Sequence, residues 1–404
     1  MSEEKNKRLR SRHLFFSNLK RANWRKLFMN SLDKRLQMSG FITFFLSGIG
    51  SISTGIIVSL LQERYGFDYN MTGTLLSICS IGNLMAGFAT GVLPAKIGLK
   101  TTIIMLSAGY ELGYLWLGIS GCMVILVLSF LLIGFAKGSV INMCTILVSN
   151  HSENRAKGMN IMHSCYALGA LICPFVIAAA GSVGPTVPMF TLSFLGLVLW
   201  IIFQVTPIEK NSAGKKEKTD WGFLKSKRFW LLTGLIFCQN AAEISVNGWL
   251  VTYFKGSGIL SGTLSAYTVT VMWTATLIAR LLIAFVFPLK NPYTAMIKMA
   301  IGCTVFYIGL MMADTQITAI LLLFAFAFAM AGMNPTAVAC AGKMTSVASI
   351  GVMLPAASFG GILMPWIIGI VSNAAGLKMG MATNIISCVG MLVFCVAVKR
   401  LKDE

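Results

Sequence analysis

Apolar stretches long enough to cross a lipid bilayer make up most of the chain. Runs such as "MVILVLSFLLIGF" (123–135) hold no charged residue and do not alternate apolar with polar positions. They therefore predict membrane-spanning helices and not barrel strands. The charged fraction is 12%, against about 25% for a soluble domain. We predict twelve spans, at residues 37–62, 69–92, 101–119, 122–149, 156–180, 186–206, 228–254, 263–287, 293–313, 316–341, 346–373 and 379–398.

The spans fall into two sets of six, separated by a long polar stretch. Gly169 and Pro174 in "LGALICP" correspond to Gly360 and Pro365 in "FGGILMP", 191 residues later. The short loops "LPAK" and "FPLK" also correspond, at an offset of 194 residues. We predict an all-α membrane protein of two six-helix bundles. Its parts are a basic cytoplasmic amphipathic segment (1–36), an N-terminal bundle (37–206), a cytoplasmic linker (207–227), a C-terminal bundle (228–398) and a cytoplasmic tail (399–404).

The net charge of +19 comes from basic residues that collect on one side of the predicted membrane. Of the 33 Lys and Arg, our spans put 27 on the side of both termini and only Arg64, Lys255 and Lys378 on the other. This positive-inside pattern predicts cytoplasmic termini in a plasma or bacterial inner membrane, and no nucleic-acid partner. Segment 1–36 suits a helix lying on the anionic leaflet; a disordered tail that fixes the topology is the alternative.

The loop after the second span, "GVLPAKIGLK" (91–100), resembles the signature loop of the major facilitator superfamily. It matches that loop at Gly91, Leu93, Lys96, Gly98 and Lys100. We expect Gly91 to allow close helix packing, Gly98 to permit a tight turn, and the two lysines to face anionic lipid. The resemblance implies a transporter whose two halves move about a substrate site near mid-membrane.

Two shorter segments resemble a narrower group. In "NIMHSCYALGALICP" (160–174), Asn160, His163 and Gly169 fit a fifth-span spacing of the fucose permease-like sugar:proton symporters. The segment "EISVNGWLVTYF" (243–254) resembles a seventh-span pattern of related permeases. The resemblance implies proton-coupled sugar symport. The acidic residues that fucose permeases carry in spans one and four have no counterpart here, so those coupling residues do not carry over.

Ionisable side chains within the spans are the first candidates for function, because a charge at bilayer depth is costly unless it is paired or hydrated. Glu243 in span seven and Glu111 in span three are the candidate proton-coupling residues. Lys137 in span four and Arg280 in span eight could pair with these carboxylates or bind an anionic solute directly.

Polar and aromatic residues cluster around Glu243 in span seven. Asn240 and Asn247 share its helix face, and amides with a Trp ring suit the hydroxyls and apolar faces of a sugar. Helix–helix hydrogen bonding is the alternative for each residue taken alone. The predicted substrate-binding residues are Asn142, Asn160, His163, Gln239, Asn240, Asn247, Trp249, Trp273, Arg280, Lys137 and Asn334.

These patterns predict a secondary active transporter and not an enzyme. The ten Cys and three His lack metal-ligand spacing, and no phosphate-binding loop is present, so we expect no metal or cofactor. The leading hypothesis is a monomer, surrounded by lipid, that couples protons to symport of a small polar solute, a sugar or sugar derivative. Organic-anion uptake or exchange through Lys137 and Arg280 is the alternative, and proton-driven efflux of lipophilic compounds is the second alternative.

Overall fold

The computed structural model of the chain describes residues 2–152, 155–208, 222–286, 289, 291–342 and 347–401, with most side chains from Ser31 onward. The first half of the chain forms α1 (Ser2–Tyr65), α2 (Tyr69–Ile97), α3 (Leu99–Ser107), α4 (Gly109–Ile119), α5 (Met123–His151), α6 (Arg155–Gly181) and α7 (Val187–Val205). A 3-10 turn (Gly222–Lys225) precedes α8 (Lys227–Ser257), α9 (Gly262–Leu281) with a π-helical turn (Leu282–Val286), α10 (Pro292–Met312), α11 (Gln316–Met330), α12 (Met333–Gly342), α13 (Val347–Ala375), α14 (Leu377–Ala382) and α15 (Ile385–Arg400).

These helices confirm the predicted all-α fold with twelve crossings. The third, tenth and twelfth crossings are each built from two consecutive helices separated by a short break. Among the described residues, eleven helical stretches are long and apolar enough to span a membrane. The eighth crossing, α9, is absent from that set, since Arg280 and several threonines lower its hydropathy. An even number of crossings puts both chain ends at the same face of the bundle. We call this face the terminal face and the opposite one the far face.

Glycines bring the backbones of two helix pairs into direct contact. A methyl group at Gly169 of α6 would lie 2.1 Å from the carbonyl oxygen of Phe45 in α1. A methyl group at Gly360 of α13 would lie 2.1 Å from the carbonyl oxygen of Phe237 in α8. The two glycines aligned by the sequence repeat therefore occupy equivalent packing positions, where small residues let membrane helices approach closely.

The two halves of the chain meet toward the far face. Gly73 of α2 lies so close to α13 that a methyl group there would be 2.6 Å from the carbonyl oxygen of Pro365. Nearby, the hydroxyl of Ser77 donates to a backbone carbonyl of α13 at 2.7 Å. At the ends of α1 and α8 that lie at the far face, Lys255 Nζ is 2.9 Å from a carboxylate oxygen of Glu63. Backbone packing and one ion pair thus close the far side.

The loop between α2 and α3 confirms one glycine expectation and corrects another. Gly98 has a φ of +84°, which favours glycine, and it joins the two helices in a tight turn. A methyl group at Gly91, by contrast, would meet no atom within 4 Å. The expectation that Gly91 permits close helix packing is therefore wrong for this structure, because open space adjoins α2 at that point. Lys96 is exposed and Lys100 is half-buried.

Helix α1 runs without a break through residue 36, the predicted end of the basic segment. The side chains of residues 1–30 and all of residues 209–221 lie outside the described part of the chain. The amphipathic character of the N-terminal segment, the linker and the bundle boundaries therefore stay predictions.

We predict that Gly169→Ala and Gly360→Ala each destabilise the protein, because the added methyl group forces two helix backbones apart. The expected cost is about 1–3 kcal/mol, as for other overpacked sites, seen as a lower thermal midpoint of the purified protein in detergent. Gly87→Ala is the matched control, since a methyl group there meets nothing within 4 Å. Equal midpoints for all three variants would contradict the packing described.

Candidate solute-binding site

A cavity of about 1110 Å³ lies between the two halves of the chain. Helices α1, α2, α5 and α6 line it from one half, and α8, α9, α12 and α13 from the other. The cavity is also lined by Leu289, in the connection between the eighth and ninth crossings at the terminal face, and by Pro292, the first residue of α10. The cavity therefore reaches toward the terminal face, while the contacts between the halves close it on the far side. Its volume suffices for a small solute with water.

Aromatic side chains of α6 and α9 pack across the boundary between the halves. The rings of Tyr166 and Trp273 meet edge to face, with centroids 5.6 Å apart. About two turns nearer the far face, nine residues along α6 and six along α9, the rings of Phe175 and Tyr267 are 4.9 Å apart. The first pair lines the cavity, and both pairs hold α6 against α9 across the boundary between the halves.

Most of the predicted site residues line this one cavity, although they are far apart in the sequence. They come from both halves and from five helices. They are Lys137, His163, Asn240, Glu243, Asn247, Trp273, Arg280 and Asn334.

Hydrogen bonds fix the polar side chains on the α8 side of the cavity. Gln239 donates its amide to the carboxylate of Glu243, and its Oε1 accepts from Asn334 Nδ2 at 2.9 Å. Gln239 itself is 1% exposed, so it holds two cavity-lining groups without facing the cavity. Asn247 donates to the backbone carbonyl of Glu243 at 2.9 Å and accepts from Trp273 Nε1 at 3.2 Å. The network pre-organises the site, since each member is already oriented before a solute binds.

Two cationic side chains face the cavity from opposite halves, Lys137 from α5 and Arg280 from α9. The ion pair between Arg280 and Glu243, which was one predicted alternative, is not formed; Arg280 Nε donates to the backbone oxygen of Ala331 at 3.3 Å. Among the described residues, neither cation has a carboxylate oxygen within 4 Å. Two cations and one carboxylate thus face a shared space, which favours a solute with negative charge.

His163 also lines the cavity, with its ring edge-on to that of Phe44 at 5.5 Å between centroids. Asn160, the other predicted binding residue on α6, has a side chain outside those that the structure describes. Tyr166, one turn beyond His163, lines the cavity too and was not predicted. The spacing of three residues from His163 is the signal that would have indicated it.

Three other predicted site residues lie away from the cavity lining. Trp249 is fully buried and its Nε1 donates to the carbonyl of Pro365 at 3.1 Å. Asn142 donates to the hydroxyl of Thr90 at 3.0 Å, which joins α5 to α2. Glu111 lies on α4, which packs against α7. In this conformation the first two hold helices together, and none of the three contacts the space that a solute could occupy.

Small hydroxyl residues of α1, such as Ser51 and Thr54, line the cavity and were also missed. Sequence gives little signal for them, because Ser and Thr in membrane helices commonly bond to backbone or to neighbouring helices. Thr54 donates to the carbonyl of Ser51 at 3.0 Å, and the hydroxyl of Ser51 lies 2.6 Å from that of Tyr110.

A cavity between two halves of six crossings each is the arrangement that the resemblance of the signature loop implied. Similarity to a known protein family shows which family the chain belongs to. Residues 40–365 match the Major Facilitator Superfamily. The chain belongs to this superfamily of membrane transporters. Two solved structures share this major facilitator fold: a variant of the nucleoside transporter NupG (TM-score 0.73, 15% identity, 91% of this chain and 99% of that one), and an inward-facing, unoccupied bacterial homologue of the human lysosomal transporter Spinster (TM-score 0.73, 12% identity, 93% and 98%).

Curated relatives of this major facilitator include transporters of different solutes. The glucose/mannose transporter GlcP of Bacillus subtilis (strain 168) is 24% identical over 391 residues, which cover 90% of this chain and 95% of GlcP. The probable sulfoacetate transporter SauU of Cupriavidus necator is 23% identical over 238 residues, 53% of this chain and 55% of SauU.

We predict that Gln239→Leu destabilises the protein by about 1–3 kcal/mol, because it leaves the half-buried amide of Asn334 and the half-buried carboxylate of Glu243 without their partner. Ser80→Ala is the matched control: Ser80 lines the same cavity, but its hydroxyl bonds to the carbonyl of Leu76 in its own helix. Thermal unfolding in detergent measures both. A Gln239→Leu variant as stable as Ser80→Ala would show that the network does not hold the site together.

Proposed function

We propose that this major facilitator is a proton-coupled symporter of a small polar solute, a sugar or sugar derivative, that works by alternating access. The observation that carries the proposal is the set of fixed amide, carboxylate and indole groups on the α8 side of a cavity between the two halves. The likeness to the glucose/mannose transporter GlcP along 90% of this chain supports the choice of solute class.

The side chains of the cavity suit a polyhydroxylated solute. Asn240, Asn247 and Asn334 line it with amides that can both donate to and accept from hydroxyl groups. The indole of Trp273 adds an apolar group to the cavity lining that suits the C–H groups of a sugar, and its N–H is already bonded to Asn247. Binding then requires little reorientation of the protein.

We propose Glu243 as the proton-coupling residue. It is the carboxylate that lines the cavity among the described residues, and the amide of Gln239 bonds to it. Protonation of Glu243 changes the charge of the cavity by one unit, which links proton binding to solute binding through Coulomb interactions in a site of low dielectric. The second predicted carboxylate, Glu111, lies outside the cavity and has no such link.

Alternating access requires the far side to open and the terminal side to close. We propose that the terminal face is cytoplasmic, because the predicted loops on that side carry most of the Lys and Arg. The conformation described is then inward-facing. Its outward-facing counterpart separates Gly73 from α13 and Glu63 from Lys255, and rocks the two halves about the bound solute.

Transport of an organic anion is the second candidate function. Lys137 and Arg280 favour it, because they face the cavity from opposite halves without carboxylate partners among the described residues. The partial likeness to the probable sulfoacetate transporter SauU is consistent with it. Proteoliposome uptake of labelled D-glucose and of sulfoacetate discriminates the candidates: uptake of sulfoacetate that Arg280→Gln abolishes, with no uptake of glucose, would favour the anion.

We predict that Glu243→Gln uncouples transport from the proton gradient. In proteoliposomes with a pH gradient, the wild type accumulates D-glucose or D-glucuronate, whereas Glu243→Gln only equilibrates it, since the variant cannot bind a proton at that site. Exchange of labelled for unlabelled solute is retained, because that reaction needs no net proton movement. Glu111→Gln is the matched control and should accumulate solute as the wild type does. Accumulation by Glu243→Gln that still follows the pH gradient would exclude this coupling role.

A further inference from the structure

Pro335 leaves one backbone oxygen of the tenth crossing without a partner in its own helix. Proline has no N–H, so the carbonyl four residues earlier, that of Ala331, cannot accept the usual helical hydrogen bond. Helix α11 ends at Met330 and α12 begins at Met333. The helical pattern resumes with Thr336, whose N–H donates to Gly332 at 3.2 Å. Among the described residues, no backbone N–H donates to Ala331.

Arg280 supplies the missing donor. Its Nε lies 3.3 Å from the Ala331 oxygen, and Arg280 and Pro335 both line the cavity. An unpaired carbonyl at membrane depth is costly, and so is an unpaired guanidinium. The contact reduces both costs at once, so it ties the side chain of α9 to the break between α11 and α12.

This contact determines which part of the guanidinium is available to a solute. With Nε bound to the protein, the two terminal nitrogens remain, and the described residues offer them no acceptor. Together these nitrogens form an end-on pair that matches the two oxygens of one carboxylate. Lys137, on the opposite side of the cavity, adds a second positive charge, but its ammonium group does not impose one orientation on a bound carboxylate.

We propose that the solute is an acidic sugar derivative whose carboxylate is bound end-on by Arg280, and that Pro335 is the positioning residue for this contact. The inference rests on the proposed function, since the amides and Trp273 bind the hydroxylated body of the solute. It deepens that function by naming the class: a sugar acid is preferred over the neutral sugar. The carbonyl that Pro335 frees sets the direction of the guanidinium.

The first test compares binding of D-glucuronate and D-glucose to the purified full chain by isothermal titration. The wild type should bind glucuronate at least about tenfold more tightly, the value of one charge-assisted hydrogen bond. Arg280→Lys keeps the charge but loses the planar pair, so it should remove most of this preference by weakening glucuronate binding far more than glucose binding. The ratio of the two affinities does not depend on how much of each variant is folded.

The second test asks whether Pro335 acts through Arg280. Pro335→Ala restores an N–H that competes for the Ala331 oxygen, and it should lower the glucuronate preference several-fold. In the Arg280→Lys background the same change should have no further effect, which is the non-additivity expected of coupled residues. Pro174→Ala, which alters a proline inside α6, is the matched control and should keep the preference.

The outcomes separate the two proposals. Equal affinity for glucuronate and glucose in the wild type would overturn the acidic solute and leave the sugar symporter standing. Binding of neither sugar would overturn both. A Pro335→Ala effect that persists unchanged in Arg280→Lys would overturn the positioning role, because the proline would then act on the fold and not on the guanidinium.

Discussion

The free-energy cost of polar groups in hydrocarbon governs this molecule. Backbone groups at membrane depth bond within their own helices, and a side chain with a charge must find a partner or water. In the described part of the chain, Lys137, Arg280 and Glu243 meet this requirement by lining the same cavity. Where a proline removes a backbone hydrogen-bond donor, a side chain supplies one instead: Arg280 donates to the backbone oxygen of Ala331.

Contacts that can be broken and remade suit the boundary between the halves. Glu63, in the ion pair with Lys255, is 58% exposed, and exposed pairs contribute only about 0–1 kcal/mol. The closer contacts there are between glycine and backbone, as at Gly73 and Gly369 and at Gly55, where a methyl group would lie 2.3 Å from the carbonyl oxygen of Asn247 in α8. Within each half, the contacts of Gly169 and Gly360 are tighter still. The boundary between the halves thus combines glycine–backbone packing, nearly as close as that inside each half, with an exposed ion pair that contributes little to stability.

Sequence reasoning predicted the fold and much of the site for one physical reason: charged and polar residues are rare in membrane-spanning segments, because burying them in hydrocarbon is costly. Glu243, Arg280 and Lys137 stand out in apolar runs, and each lines the cavity. Trp249, Asn142 and Gln239 stand out equally, yet they do not line the cavity. Trp249 and Asn142 hydrogen-bond to neighbouring helices, and Gln239 lies behind the lining and orients Asn334. Sequence cannot separate the two groups, because the rotation of each helix depends on all of its neighbours. Tyr166 and Ser51 were missed since such residues are ordinary in any membrane helix.

The sequence by itself determined the number of crossings, the two-half repeat and the rarity of charge within the spans, because a bilayer imposes length and polarity on each segment separately. Only the tertiary structure decided which charges meet. Whether Arg280 pairs with Glu243 or with a broken helix depends on where α9, α8 and the α11–α12 break lie in space. That placement follows from the packing of small residues across helices distant in the chain, which no single segment encodes.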